Sequence, residues 1–203
     1  MIDRAKLDVP ERLNDEYLEA MAAIDGEAIK NKSTRVDTVN VVGVLRGVKP
    51  CSLIEEANNM EDYIRKLGLA CEKIDGKGMM TIAWNDELAK NLADEFSEYW
   101  GGILNEIQES DRRIGKLLGY PETATEYYID RLASFEDPSR EDLPMILPEE
   151  FEVTVREYFH QFVLSPDNWR EETKNYIMPL EEATRELAPR SYKQIEQEFK
   201  QTD

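Results

Sequence analysis

Between two short apolar runs, Leu69 to Ile74 and Met79 to Trp84, the chain reads Asp75-Gly76-Lys77-Gly78. An Asp-Gly turn flanked by strand-like runs is the strongest short-range hairpin signal a sequence carries, because glycine supplies the positive φ that tight turns between twisted strands require. The residues therefore predict an antiparallel hairpin, and with it a sheet inside a chain that otherwise reads as helix. Residues 36–48 supply the partner strand in this reading. Val36, Val39, Val41, Val42, Val44 and Leu45 are closely spaced aliphatic residues, and Gly47 with Lys49-Pro50 closes the run.

The rest follows helical periodicity. Leu13, Tyr17, Met21 and Ile24 form one stripe within a helix over 10–32, with Pro10 and Glu11 in its first turn. A short helical segment is expected from Cys51 to Leu67, interrupted near Asn58-Asn59. Asn59 would cap a second piece carrying Met60, Tyr63, Ile64 and Leu67, and Gly68 would stop it. Asn85 or Asp86 opens a helix with Leu88, Leu92, Ala93 and Phe96. Another runs from Tyr99 to Leu118 with Ile103, Leu104, Ile107, Ile114, Leu117 and Leu118. Gly119-Tyr120-Pro121 breaks it, and Pro121 starts a further helix with Glu122, Tyr127, Tyr128, Ile129 and Leu132. Further helices are expected over 149–164 and 180–200, separated by Ser165-Pro166-Asp167.

The expected fold class is α+β, mainly helical. A small antiparallel sheet of about three strands within 36–84 packs against a helical bundle. The expected organisation is an α+β core over 1–135, a Pro-rich linker over 136–148, and a helical extension over 149–203 packed on the core.

At 203 residues the chain is long enough to fold on a single core without staples. No run approaches the ~18 consecutive apolar residues of a membrane span, and Met1 to Asp8 has no secretory h-region. A cytoplasmic protein is expected. Cys51 and Cys71 have no second Cys or His at ligand spacing, so no metal site is expected and both read as buried small hydrophobes.

The formal net charge of −18 disfavours nucleic acid phosphates and anionic lipid as partners. Three readings of the acidity remain: solubility, a basic protein partner, or mimicry of nucleic acid. The acids alternate with lysines and arginines on helical faces, which favours solubility.

No phosphate-binding glycine motif or nucleophile elbow occurs, and no cofactor is implied. His160, between Phe159 and Gln161, has no companion for catalysis or metal binding. Acid pairs such as Glu55-Glu56, Glu149-Glu150 and Glu181-Glu182 arise freely among 43 acids and carry no weight.

Two basic islands stand against this background, both beside Gly and Pro breaks: Arg46 with Lys49, and Arg112, Arg113 and Lys116 with Tyr120. Free N–H groups and the helix dipole at Pro121 favour an anion there, so these six residues are candidate ligands for a small anion such as phosphate or carboxylate. The competing reading pairs them with the surrounding acids and buries Tyr120 in a helix–helix corner.

The segment Gly115-Lys116-Leu117-Leu118-Gly119-Tyr120-Pro121-Glu122 resembles a signature of a family of uncharacterised, mainly archaeal proteins. The Gly47-Val48-Lys49-Pro50 turn is similar to the earlier half of the same family, and the resemblance spans roughly residues 36–135. That family follows the corner with a cysteine pair. Thr123 and Ala124 stand there in this chain, so no thiol or metal role carries over, and the resemblance implies no activity.

The leading functional expectation is a non-catalytic binding or interaction protein, regulatory in character. Its partner, or a second copy of itself, would dock on the C-terminal helices through Phe151, Val155, Phe159 and Phe162. The alternative is an enzyme or sensor for a small anionic metabolite or nucleotide at the two basic corners. An acidic mimic of nucleic acid is a remote third.

Overall fold

The hairpin forms where its turn residues place it. In the computed structural model, which describes residues 15–28, 30, 32–56, 60–99, 104–133, 158–159 and 161–200, three strands are present: β1 (Cys51–Glu55), β2 (Ala70–Ile74) and β3 (Met79–Ala83). β2 and β3 pair antiparallel across the Asp75–Gly78 turn, with Ile74 opposite Met79 and Ala70 opposite Ala83. β1 pairs antiparallel with the other edge of β3, Cys51 opposite Ala83 and Glu55 opposite Met79, giving the order β1-β3-β2.

Around this sheet lie α1 (Asp15–Ala28), α2 (Lys32–Leu45), α3 (Glu61–Lys66), α4 (Asp86–Tyr99), α5 (Leu104–Leu118) and α6 (Glu122–Ala133). Then come α7 (Trp169–Glu172), a π-helical stretch (Thr173–Ile177), α8 (Met178–Leu187) and α9 (Pro189–Lys200). The architecture is mainly helical α+β, a three-strand antiparallel sheet packed against helices. No helix among the described residues is long and apolar enough to cross a membrane.

The third strand is not the one expected. Residues 36–45 belong to helix α2, and Cys51–Glu55, read from sequence as the start of a helix, is the strand. The physical reason is burial. Of α2, Thr34, Arg35 and every residue from Asp37 to Leu45 are buried. A helix enclosed on nearly all sides loses the polar face that produces a 3.6-residue period, and its valines then look like a strand.

α2 nonetheless serves the sheet. Asn40 Nδ2 donates to Leu53 O (3.0 Å), and Glu55 N donates to Asp37 Oδ2 (3.0 Å). Two polar groups one helical turn apart thus satisfy two backbone groups two residues apart on β1, and the exposed strand edge is covered without a fourth strand.

Asn85 caps α4 as expected, its Oδ1 accepting from Leu88 N at 2.9 Å. The helix expected over 180–200 is instead broken at Ala188 between α8 and α9. A carboxylate distant in sequence caps α9. Asp25 of α1, 3 % exposed, accepts from Arg190 N (3.0 Å), Ser191 N (2.8 Å) and Ser191 Oγ.

Pro10, Leu13, Asn58, Asn59, Ile103, Phe151, Val155, His160 and the 136–148 linker lie outside the described residues.

Among the described residues three apolar clusters fill the interior. One joins α1, α2, α3, the sheet and α8 through Met21, Ile24, Leu45, Ile64, Met80 and Leu187. A second joins α2 to the C-terminal segment through Val39, Phe159, Ile177, Leu180 and Ile195. A third joins the sheet to α4 and α5 through Cys51, Ala83, Leu92, Ile114 and Leu118. Tyr120 packs against both the second and the third. Phe159 is fully buried, and Phe162 packs against the second cluster, so both rings are taken up within the fold.

Candidate binding pocket

The two basic corners are the C-caps of α2 and α5, built alike. Gly47 (φ 65°) donates to Val44 O (2.9 Å) and Val48 N to Gly43 O (2.9 Å). Gly119 (φ 75°) donates to Lys116 O (3.2 Å) and Tyr120 N to Gly115 O (2.8 Å). This pair of bonds with a left-handed glycine is the Schellman arrangement. The corners touch: a Cβ on Gly119 would stand 2.5 Å from Pro50 Cδ and 3.6 Å from Val48 O.

Their basic side chains do not converge. Arg46 pairs with Glu186 of α8. Arg112 grips Glu126 of α6 through Nε (2.8 Å) and Nη2 (2.9 Å) and lies 3.6 Å from Glu109. The Arg112 hydrogen bond holds the Glu126 carboxyl below its ordinary range. Arg113 Nε donates to Glu95 Oε1 of α4 (2.6 Å). Lys116 is exposed. These arginines brace α5 against α4 and α6, which is the pairing that an acid-rich surface favours.

Lys49 points inward and is 2 % exposed. Its Nζ donates to Asn40 Oδ1 (2.9 Å), Ser52 Oγ (2.7 Å) and Gln161 Oε1. Gln161 Nε2 returns to Asn40 Oδ1 at 2.9 Å. The three acceptors are neutral, and desolvation lowers the amine to about 7. Gly43 makes room for the stem, since a Cβ there would come within 2.9 Å of Lys49 Cδ.

Of the six sequence-predicted residues, Tyr120 lines a cavity. That cavity, of about 450 Å³, opens between α5, α6 and residues 161–163. α5 contributes Asp111, Ile114 and Gly115, and α6 contributes Ala124, Thr125 and Tyr128, each set at helical spacing on one face. Tyr99 closes it from the end of α4, and Gln161, Phe162 and Val163 form the remaining wall.

Gly115 allows the two helices to approach, since a Cβ there would meet Thr125 Oγ1 at 2.7 Å. Tyr120 stacks at a tilt on Phe162 (5.2 Å between centroids) and edge-on to Tyr176 (5.9 Å). Thr123 Oγ1 donates to the buried Glu172 carboxylate (2.6 Å), and Ala124 forms cavity wall.

Asp111 is 8 % exposed, and burial pushes its carboxyl up to about 6. Burial, with the Asp111 charge adding to it, pushes the Tyr128 phenol up to about 12. Burial also raises Tyr120 well above the ordinary phenol value.

Sequence reasoning missed Asp111, Thr125, Tyr128 and Gln161. The available signal was the Asp111, Ile114, Gly115 spacing just before the Gly-Tyr-Pro corner, facing Ala124 and Tyr128 one turn apart beyond it.

Among the described residues no three His, Cys, Asp or Glu side chains are grouped to hold a metal ion. Cys51 and Cys71 are free and buried, their thiols pushed by desolvation up to about 12 and about 11. Comparison with known proteins finds no matching family model, no matching curated protein and no matching solved structure.

Proposed function

We propose that this chain is a non-catalytic binding protein whose ligand occupies the cavity between α5, α6 and residues 161–163. One observation carries the reading: about 450 Å³ of space walled by aromatic and aliphatic side chains with a few polar groups set into it. That volume and composition are typical of small-molecule sites, which run from about 300 to 1,000 Å³. Its walls are braced from outside by the Arg112–Glu126 and Arg113–Glu95 pairs and tied at Gln161 to the buried Lys49. A site on braced elements loses little entropy when it fills.

A thermal-shift screen of small molecules, run in parallel on the protein and on Ala124→Leu, tests this. Ala124 is 1 % exposed and lines the cavity, so the added isobutyl group occupies ligand space. A ligand at 100 times its Kd adds about 2.7 kcal/mol of stability, which is a rise of roughly 5 to 10 °C for a chain of this size. Hits that raise the native melting temperature and leave Ala124→Leu unmoved are the expected result. An empty screen, or hits that act equally on both, contradicts it.

A further inference from the structure

We propose that the cavity takes an aldehyde or ketone, captured as a reversible imine by the Lys49 amine that lies behind Gln161. This rests on the cavity being a binding site. Lys49 is 2 % exposed, yet its Nζ donates to Gln161 Oε1, and Gln161 lines the cavity. The amine therefore stands one hydrogen bond from the cavity wall, with the half-buried Gln161 side chain covering it.

The surroundings keep this amine nucleophilic. Asn40 Oδ1, Ser52 Oγ and Gln161 Oε1 are neutral acceptors, and burial lowers the amine to about 7. The Cys51 thiol, which acts on it electrostatically, is itself kept neutral by burial. At neutral pH much of Lys49 is thus the free amine, the form that attacks a carbonyl carbon, whereas a solvated lysine titrates near about 10.4 and is almost all ammonium. The hydrogen bonds suit the neutral form as well. A hydroxyl both donates and accepts, so Ser52, 2.7 Å away, turns its proton onto the lone pair while Nζ keeps two N–H groups for the Asn40 and Gln161 oxygens. A buried amine carries a desolvation cost that a purely structural tie between neutral amides would avoid.

Capture balances as follows. The Gln161 side chain swings aside, and a carbonyl oxygen replaces its Oε1 as acceptor. The Nζ lone pair bonds to the carbonyl carbon, the C=O π pair moves to oxygen, and that oxygen takes a proton from nitrogen to give the carbinolamine. The C–O bond then breaks as C=N forms, and the departing hydroxyl takes the second amine proton and leaves as water. One amine and one carbonyl give one imine and one water, with no change of oxidation state.

The test incubates the full chain at pH 7.5 with butanal, benzaldehyde and cyclohexanone in turn, traps imines with cyanoborohydride and locates the resulting secondary amines by peptide mass mapping. At least one probe should label Lys49 at one per chain, about tenfold or more faster than the exposed lysines. From pH 8 to 9 the ratio of Lys49 labelling to exposed-lysine labelling should fall about tenfold, because only the solvated amines still gain free base there.

Ala124→Leu, which fills the cavity, should lower Lys49 labelling about tenfold and leave the exposed lysines unchanged. Gln161→Ala, which uncovers the amine, should raise Lys49 labelling about threefold or more. Circular dichroism and a cooperative melt should show both variants folded. If Ala124→Leu does not fold, Gln161→Ala and the pH ratio in the native chain decide.

Lys49 labelled no faster than the exposed lysines, a ratio that holds steady with pH, or labelling unchanged in either folded variant overturns the proposal. If no probe labels Lys49 while other small molecules bind and are blocked by Ala124→Leu, the cavity is a ligand site and the Lys49 assignment alone falls. If nothing binds and nothing labels, both fall.

Discussion

At Lys49 a primary amine lies in the interior among three neutral oxygens, and desolvation lowers it to about 7. Its linkage to stability has a definite sign. Below pH 7 the amine is charged in both states and contributes no slope. From pH 7 up to the ordinary lysine value, the unfolded chain binds the proton more tightly, so stability rises with pH.

Each pH unit in that window is worth about 1.4 kcal/mol, or about 2 kcal/mol between pH 7 and 8.5. Above that the two thiols, raised to about 12 and about 11, act in the opposite direction, because the unfolded chain ionises them first. Asp111, raised to about 6, has finished titrating below the window. Urea unfolding of the protein and of Lys49→Met at pH 7.0 and 8.5 should therefore differ in slope. The native chain gains about 2 kcal/mol relative to the variant, and equal pH responses would show that Lys49 is solvated. Nothing in the local sequence distinguishes this lysine from a surface one. Its burial is decided by Gly43 and by Gln161, 112 residues downstream.

Among elements, the hairpin was legible because its information is local: the turn residues and both strands lie within 16 positions. The third strand and α2 were not, because their identities depend on what surrounds them. Val39 to Leu45 is helix since α8, β1 and α1 enclose it. Cys51–Glu55 is strand since Asp37 and Asn40 satisfy its outer edge. Length was the usable clue, as a buried apolar stretch beyond about ten residues favours helix.

The Gly-Tyr-Pro corner was legible as a break, but not as the contact of two helix caps. Gly119→Ala tests that contact. It combines a left-handed backbone cost of about 1–2 kcal/mol with a Cβ placed 2.5 Å from the Pro50 ring, so a loss of about 3 kcal/mol or more is expected from denaturant unfolding. Gly76→Ala, with a similar φ of 68° and nothing within 4 Å of the new Cβ, should cost only about 1 kcal/mol. Equal losses would mean that the corner is open.

Across the whole molecule, charge and chemistry separate. Among the described residues the ion pairs lie largely at the surface, and such pairs contribute little individually. They orient helices: Arg112 and Arg113 fix α5 against its neighbours, and α5 and α6 then enclose the cavity. The sequence pointed to the Gly-Tyr-Pro corner, and Tyr120 of that corner lines the cavity, while Arg112 and Arg113 pair with acids of the neighbouring helices. Periodicity marks which residues face inward on one helix, but not that the inward faces of α5 and α6 leave a gap between them.

The most direct measurement of the central claim is amide chemical-shift mapping with any compound that raises the melting temperature. The account predicts saturable shifts centred on Asp111, Gly115, Thr125, Tyr128 and Gln161, absent in Ala124→Leu. Shifts confined to other surfaces, or none at saturating concentration, would contradict it.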